Sequence, residues 1–192
     1  MSYDFRNLPQ ALLDKAAGIE CLVLDVDGVM TDGGLLYGDD GQEYKRFHAR
    51  DGFGLRLWRS NNFSLAMVTA RRSGVVEHRA NELGVDELHQ GVTDKLSVVK
   101  EISQRQTISP EKIAFVGDDM VDYRAMQFAG MALTVADAYP AINQLADWTS
   151  NYPGGNGAVR EACELLLYSK GILESTLANY RDDQETSVRV LK

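Results

Sequence analysis

The sequence predicts an α/β protein built on a doubly wound, mostly parallel sheet that carries a small β-hairpin insert. Three observations point there. Apolar runs at residues 19–24, 65–68, 113–116 and 131–135 have the length and continuity of strands covered on both faces. Segments with apolar residues at helical spacing lie between them, and strands that alternate with helices wind into a parallel sheet. Near residues 33–48, two strand-like pieces flank Gly38-Asp39-Asp40-Gly41, an Asp-Gly turn that marks a hairpin.

In chain order, Leu8, Leu12, Leu13 and Ala16 mark a leading helix or turn within residues 1–18, and residues 19–24 form the first strand. After the hairpin, a helix follows Asp51-Gly52 with Phe53, Leu55, Leu57 and Trp58 among its apolar positions. Residues 65–68 are the next strand, and a helix over 73–83 stops at Gly84. A weakly strand-like segment ends in Gly91-Val92-Thr93-Asp94-Lys95. Asp94 then caps a helix marked by Leu96, Val99 and Ile102. Pro110 precedes strand 113–116, a helix with Val121, Ala125, Phe128 and Ala129 closes at Gly130, and 131–135 is a further strand. Pro140 suits the first turn of a short helix. Gly154-Gly155-Asn156-Gly157 is a loop, and 158–168 reads as the last helix. The expected organisation is one domain over 1–174. A polar tail over 175–192 is expected to be mobile unless a partner orders it.

Composition narrows the function. The chain has 192 residues, 44% of them hydrophobic and 25% charged, as in an ordinary soluble domain. Its formal net charge of −8 argues against nucleic acid or an anionic membrane as the main partner. No apolar run reaches the length of a membrane span, and the first residues carry no secretory pattern. The two cysteines, Cys21 and Cys163, make neither a disulfide framework nor a zinc site, and a reducing cytoplasm is expected.

Each predicted strand that bears on chemistry ends in a polar residue. The run 19–24 leads to Asp25 and Asp27, 65–68 to Thr69, the weak segment to Lys95, and 113–116 to Asp118, Asp119 and Asp122. Parallel sheets bind ligands beyond the carboxyl ends of their strands, so these groups are expected in one site. An aspartate can attack phosphorus, a second carboxyl can protonate the leaving oxygen, and a cation must offset the phosphoryl charge. Mg²⁺ suits a cluster of hard carboxylate oxygens. Thr69 and Lys95 are expected to hold the phosphoryl oxygens, and Asp119 and Asp122 to orient Lys95 or metal-bound water. A calcium EF-hand is excluded, because Val29 and Met30 stand where that loop needs an acidic residue or Asn and then Gly. A signalling receiver domain places its acidic pair first, whereas here it comes last.

Asp25-Val26-Asp27-Gly28-Val29-Met30-Thr31-Asp32-Gly33, Val68-Thr69, Lys95 and Gly117-Asp118-Asp119-Met120-Val121-Asp122 together resemble the four motifs of the haloacid dehalogenase (HAD) superfamily phosphatases. The resemblance implies a HAD-like Rossmannoid fold in which Asp25 is the nucleophile and Asp27 the general acid/base. It implies a metal held by Asp25, the Asp27 backbone carbonyl and Asp118. No segment is long enough for the large cap domain of many relatives.

Phe47-His48-Ala49-Arg50-Asp51-Gly52, Thr69-Ala70-Arg71, Val76-Glu77-His78-Arg79 and Gly154-Gly155-Asn156-Gly157-Ala158-Val159-Arg160-Glu161 look closest to the branch that dephosphorylates a sugar acid. Its leading substrate is 3-deoxy-D-manno-octulosonate 8-phosphate, a lipopolysaccharide precursor. A nine-carbon sugar acid 9-phosphate is the alternative, and a non-catalytic phosphate-binding module the alternative of another class. His48 and Ala70 depart from the pattern of some relatives without removing a reactive group. In that branch the substrate pocket is lined by Asp27, His48, Ala49, Arg50, Asp51, Gly52, Arg56, Arg71, Arg79 and Lys95. Arginine forks fit a ligand that carries both phosphate and carboxylate. The branch also implies a homotetramer in which hairpins meet centrally, with Tyr37, Tyr44 and Phe47 in contact, and a neighbour closes each pocket. The loop at 154–157 and the tail are further candidates to reach a neighbouring site.

Overall fold

The computed structural model describes residues 3–182. Its centre is a six-stranded sheet in the order β5-β4-β1-β6-β7-β8, parallel throughout. The strands are β1 (Cys21–Leu24), β4 (Ser64–Thr69), β5 (Glu87–Gln90), β6 (Ile113–Val116), β7 (Met131–Thr134) and β8 (Trp148–Thr149). β1 lies in the middle, with Leu22 paired to Leu65 on one side and Ala114 on the other. Every residue of β1 and β6 is buried, which is why both read as unbroken apolar runs. The sheet is parallel without exception, where the sequence allowed a mixed one.

Helices cover both faces. α1 (Gln10–Ala17), α2 (Ala49–Ser60), α7 (Ala158–Ser169) and α8 (Leu173–Asp182) pack with one another, and α3 (Gly74–Leu83) leans on α2. α4 (Lys95–Gln106), α5 (Tyr123–Phe128) and α6 (Pro140–Leu145) form the other layer. Local signals set their ends. Gly84 leaves α3 in the left-handed region at φ 66°, and the Asp94 carboxylate accepts the Ser97 N–H at 3.4 Å to cap α4.

α2 and α7 approach closely because Gly54 has no side chain. A Cβ there would lie 2.9 Å from the Arg160 Cα. The same contact buries Asp51 completely. Its carboxylate accepts the Gly157 N–H at 3.1 Å and the Arg160 N–H at 2.8 Å, and so satisfies two orphan donors at the start of α7. Burial pushes the Asp51 carboxyl upward even against those donors.

The expected tail is corrected in part. Residues 175–182 belong to α8, where Leu173 and Thr176 are buried and Asn61 Nδ2 donates to Thr176 Oγ1 at 3.1 Å. The rest of that tail, 183–192, lies outside the described residues, as do residues 1 and 2. The hairpin is present as β2 (Leu36–Tyr37) paired antiparallel with β3 (Glu43–Tyr44). No large cap domain accompanies it among the described residues.

From β1 the chain winds out through β4 to β5, then returns to β6 beside β1 and winds the other way to β7 and β8. That reversal leaves a crevice beyond the carboxyl ends of β1 and β6.

Candidate active site

The crevice gathers side chains from four strand ends. Asp25 follows β1, and its N–H still bonds the Val116 carbonyl of β6 at 2.9 Å, so sheet pairing fixes its position. Thr69 is the last residue of β4, Lys95 the first of α4, and Asp118 stands two residues past β6. They line a cleft of about 300 Å³ with Asp27, Arg71 and Asp119.

Lys95 is the electrostatic centre. Its buried ammonium donates to Asp122 Oδ1 at 2.6 Å and lies 2.9 Å from Asp25 Oδ1. Burial alone would pull the Lys95 pKa down; the two carboxylates outweigh it and the net shift is upward. Asp122 is wholly buried, and its Oδ2 accepts the N–H groups of Asp118 at 3.1 Å and Asp119 at 3.3 Å. It thus holds Lys95 and the loop after β6 together. Asp119 makes no such link; its Oδ1 accepts the Met120 N–H at 2.7 Å. The expected role of orienting Lys95 therefore falls to Asp122.

Carboxylate oxygens of Asp25, Asp118 and Asp122 lie within 4.8 Å of one another. Burial, then the neighbouring Asp122, raises the Asp25 pKa to about 7. Burial, then Asp25 and Asp122, raises Asp118 to about 8. Asp118 Oδ1 is buried with no partner. Hard oxygen donors that repel one another and leave a buried lone pair unused are the setting a small divalent cation stabilises. Both oxygens of Asp122 are engaged in hydrogen bonds, so Asp25 and Asp118 are the open pair. The chain makes room for this pair at Gly28, in the left-handed region at φ 88°. A Cβ there would sit 2.1 Å from Asp118 Oδ2. The loop that holds Gly28 is braced in turn by Gly154 and Gly155. The Gly155 N–H bonds the Val29 carbonyl at 2.9 Å, and a Cβ on Gly154 would lie 1.8 Å from the Gly28 oxygen. The loop at 154–157 thus supports its own chain's site.

On the other wall, Asp27 Oδ1 is paired with Lys45 from the hairpin, and Asp27 Oδ2 is buried without a partner. Arg71 Nη2 bonds the Tyr37 hydroxyl and lies 3.4 Å from Glu43 Oε1. Thr69 Oγ1 accepts the Arg71 N–H at 3.4 Å, which leaves its own hydrogen free to donate into the cleft.

Of the residues expected to line the substrate pocket, Asp27, Arg71 and Lys95 do so. The others lie elsewhere in the chain. Asp51 is spent on α7. His48 precedes α2, with Nδ1 4.0 Å from Asp51 Oδ2, and Ala49 opens that helix. Arg50 faces a separate depression with Tyr3, Arg160 and Glu164. Gly52 lies under Arg79, where a Cβ would meet Nη2 at 2.2 Å. Arg79 reaches Glu82 at 2.7 Å and covers the Phe47 ring at 5.7 Å, and Arg56 stands 3.6 Å from the same glutamate. Arg56, Arg79 and Glu82 form a second patch on α2 and α3, and none of them is among the residues that line the cleft. Sequence reasoning missed Lys45 and Glu43. Their signal was the period of two, Glu43-x-Lys45-x-Phe47, which turns these three inward while Tyr44 and Arg46 stay exposed.

A model of the haloacid dehalogenase-like hydrolases matches residues 81–161. The 3-deoxy-D-manno-octulosonate 8-phosphate phosphatase of Salmonella typhi is 41% identical over 163 residues, 85% of this chain and 87% of that protein. The crystal structure of the phosphatase of that name from Yersinia pestis superposes with a TM-score of 0.84 at 40% identity, covering 85% of this chain and 88% of the other. The Moraxella catarrhalis phosphatase, solved with magnesium, phosphate and the sugar acid KDO, superposes with a TM-score of 0.87 at 34% identity, covering 89% and 98%.

Proposed function

The chain belongs to the family of 3-deoxy-D-manno-octulosonate 8-phosphate phosphatases within the haloacid dehalogenase-like hydrolases, and we propose that the cleft between β1 and β6 is where it hydrolyses that ester. The enzyme is a magnesium-dependent phosphatase of a phosphorylated sugar acid, and its product is the free acid used to build lipopolysaccharide. The observation that carries the site assignment is the meeting of Asp25, Asp118 and Lys95 at the crevice, beside Asp27 with one oxygen free.

Asp25 attacks phosphorus through a carboxylate oxygen. The bond from phosphorus to the sugar oxygen breaks, its electron pair stays on that oxygen, and the Asp27 carboxyl supplies the proton that makes it an alcohol. Water then attacks the aspartyl-phosphate and gives a proton to Asp27. The phosphorus–Asp25 bond breaks, returning the carboxylate and inorganic phosphate. Lys95 keeps Asp25 in place and, with the Thr69 hydroxyl, donates to the phosphoryl oxygens. Magnesium, held by Asp25, Asp118 and the Asp27 carbonyl, offsets the negative charge that gathers there. Arg71 at the cleft wall offers its unpartnered Nε to a substrate oxygen.

The same reading extends to assembly. The cleft is open to solvent on one side, Leu35, Leu36, Tyr37 and Tyr44 of the hairpin region are exposed, and the patch of Arg56 and Arg79 does not line its own cleft. A homotetramer buries the hairpins and brings that patch over a neighbour's cleft, excluding water as the charges require. Light scattering tests it: four chains of 21.3 kDa are expected, and a monomer with full activity refutes it. Free, buried Cys21 and Cys163 fit residence in the cytoplasm.

Phosphate release from the eight-carbon 8-phosphate, a nine-carbon sugar acid 9-phosphate and an aryl phosphate tests the substrate. The expected result is the highest kcat/KM on the eight-carbon ester, lost with a chelator. Preference for the nine-carbon ester contradicts the assignment.

A further inference from the structure

Lys45 has no part in the reaction as written, yet it is paired with Asp27, a residue of the cleft wall. It follows β3 on the hairpin, and its side chain is only 1% exposed. A buried ammonium is costly unless it is paired. Its partners are Asp27 Oδ1 and, at 3.3 Å, Glu43 Oε1, whose carboxylate also faces Arg71. Asp27 is thereby divided. One oxygen is held by the hairpin lysine, and the other, Oδ2, is buried with no hydrogen-bond partner. Arg71 Nε, likewise buried and unpartnered, stands 4.0 Å from that Oδ2, beyond hydrogen-bond range. An acceptor and a donor, neither used in a hydrogen bond, thus face each other on two residues that line the cleft.

We propose that Lys45 is a positioning residue that pins Asp27 Oδ1, so that Oδ2 is the oxygen that hands its proton to the departing sugar oxygen. The inference rests on the reading of Asp27 as the proton donor. The proton passes from Oδ2 to the ester oxygen as that oxygen keeps the electron pair of its bond to phosphorus. Lys45 gains and loses nothing. Because Lys45 comes from the hairpin, seating of the hairpin and aiming of Asp27 are one event.

Leaving-group dependence tests it. An alkoxide needs a proton to depart, whereas 4-nitrophenolate does not, and kcat/KM covers only the steps up to phosphoryl transfer. Lys45→Met, Lys45→Arg and Asp27→Asn are compared on the sugar acid phosphate and on 4-nitrophenyl phosphate. Lys45→Met is expected to lose about 10²-fold on the sugar ester and less than about tenfold on the aryl ester, with Lys45→Arg between it and the parent. An unchanged rise in melting temperature with Mg²⁺ shows that the fold is kept. If Lys45→Met does not fold, Lys45→Arg carries the same comparison. Equal losses on both esters, or none, overturn the proposal. If Asp27→Asn itself does not discriminate between the esters, the reading of Asp27 falls. If Asp27→Asn discriminates and the Lys45 variants do not, only the role of Lys45 falls.

Discussion

Replacing Asp118 by Asn is expected to stabilise the metal-free protein while it removes magnesium binding. The Asp118 carboxyl is pushed up to about 8 by burial and then by Asp25 and Asp122, from an ordinary value near 3.8. Between those two values the native state holds a proton that the unfolded chain has released. Stability must therefore fall as pH rises through the window: the contribution is full below about 4 and lost by about 8. A rise of about 4 units corresponds to at most ~6 kcal/mol at ~1.4 kcal/mol per unit. Water in the open cleft screens the repulsion further, and roughly 3 kcal/mol is a reasonable expectation. In a domain of this size that is about 6–12 °C. The assay is thermal unfolding at pH 5 and pH 8, with chelator and with saturating Mg²⁺. At pH 8 in chelator, Asp118→Asn should melt about 6–12 °C above the parent, and at pH 5 the gap should shrink to about half of that. Magnesium should raise the parent's melting temperature and leave the variant unmoved. A variant that melts below the parent in chelator at pH 8 refutes the repulsive cluster.

Asp25→Asn should abolish turnover with the melting temperature in chelator kept or raised, and residual turnover in the purified variant above about 10⁻³ of parent would remove it as nucleophile. Lys95→Ala leaves Asp122 buried without its cation and should cost both stability and about 10³-fold in kcat, whereas Asp119→Asn should cost less than about tenfold; the reverse order in a side-by-side assay contradicts the roles given to the two. Gly154→Ala drives a methyl into the Gly28 carbonyl, so it should destabilise by about 2–4 kcal/mol and weaken Mg²⁺ affinity, both readable by calorimetry. Asp51→Ala strips two donors at the α7 start of their acceptor and should lower stability by about 2–3 kcal/mol with KM nearly unchanged; a KM effect larger than the stability effect would return Asp51 to the substrate.

The strand-end chemistry was legible because β1 and β6 are buried on both faces and so stand out as apolar runs with a carboxylate at the end. β5 was weak in the sequence for the opposite reason. It is an edge strand whose residues are all half-buried, and Glu87 and His89 sit among them. β8 has two residues and α8 is polar in composition, so neither carried a pattern long enough to read. Asp51 and Gly52 show a different limit. Their place in a motif marked them for substrate, while in this chain the Asp51 carboxylate serves the α2–α7 contact and the small size of Gly52 makes room for Arg79 of α3, facts that depend on which helices pack there. Lys45 was hidden because a lysine just past a two-residue strand usually points to water. Only the seating of the hairpin on Asp27 reveals it.

The central claim is that carboxylates beyond β1 and β6 grip one divalent ion beside the nucleophile. A crystal soaked in Mn²⁺, with its anomalous scattering mapped, tests this most directly. The account predicts a single strong peak about 2.0–2.2 Å from an oxygen of Asp25 and from one of Asp118. A peak elsewhere, or one that Asp118 does not touch, would contradict it.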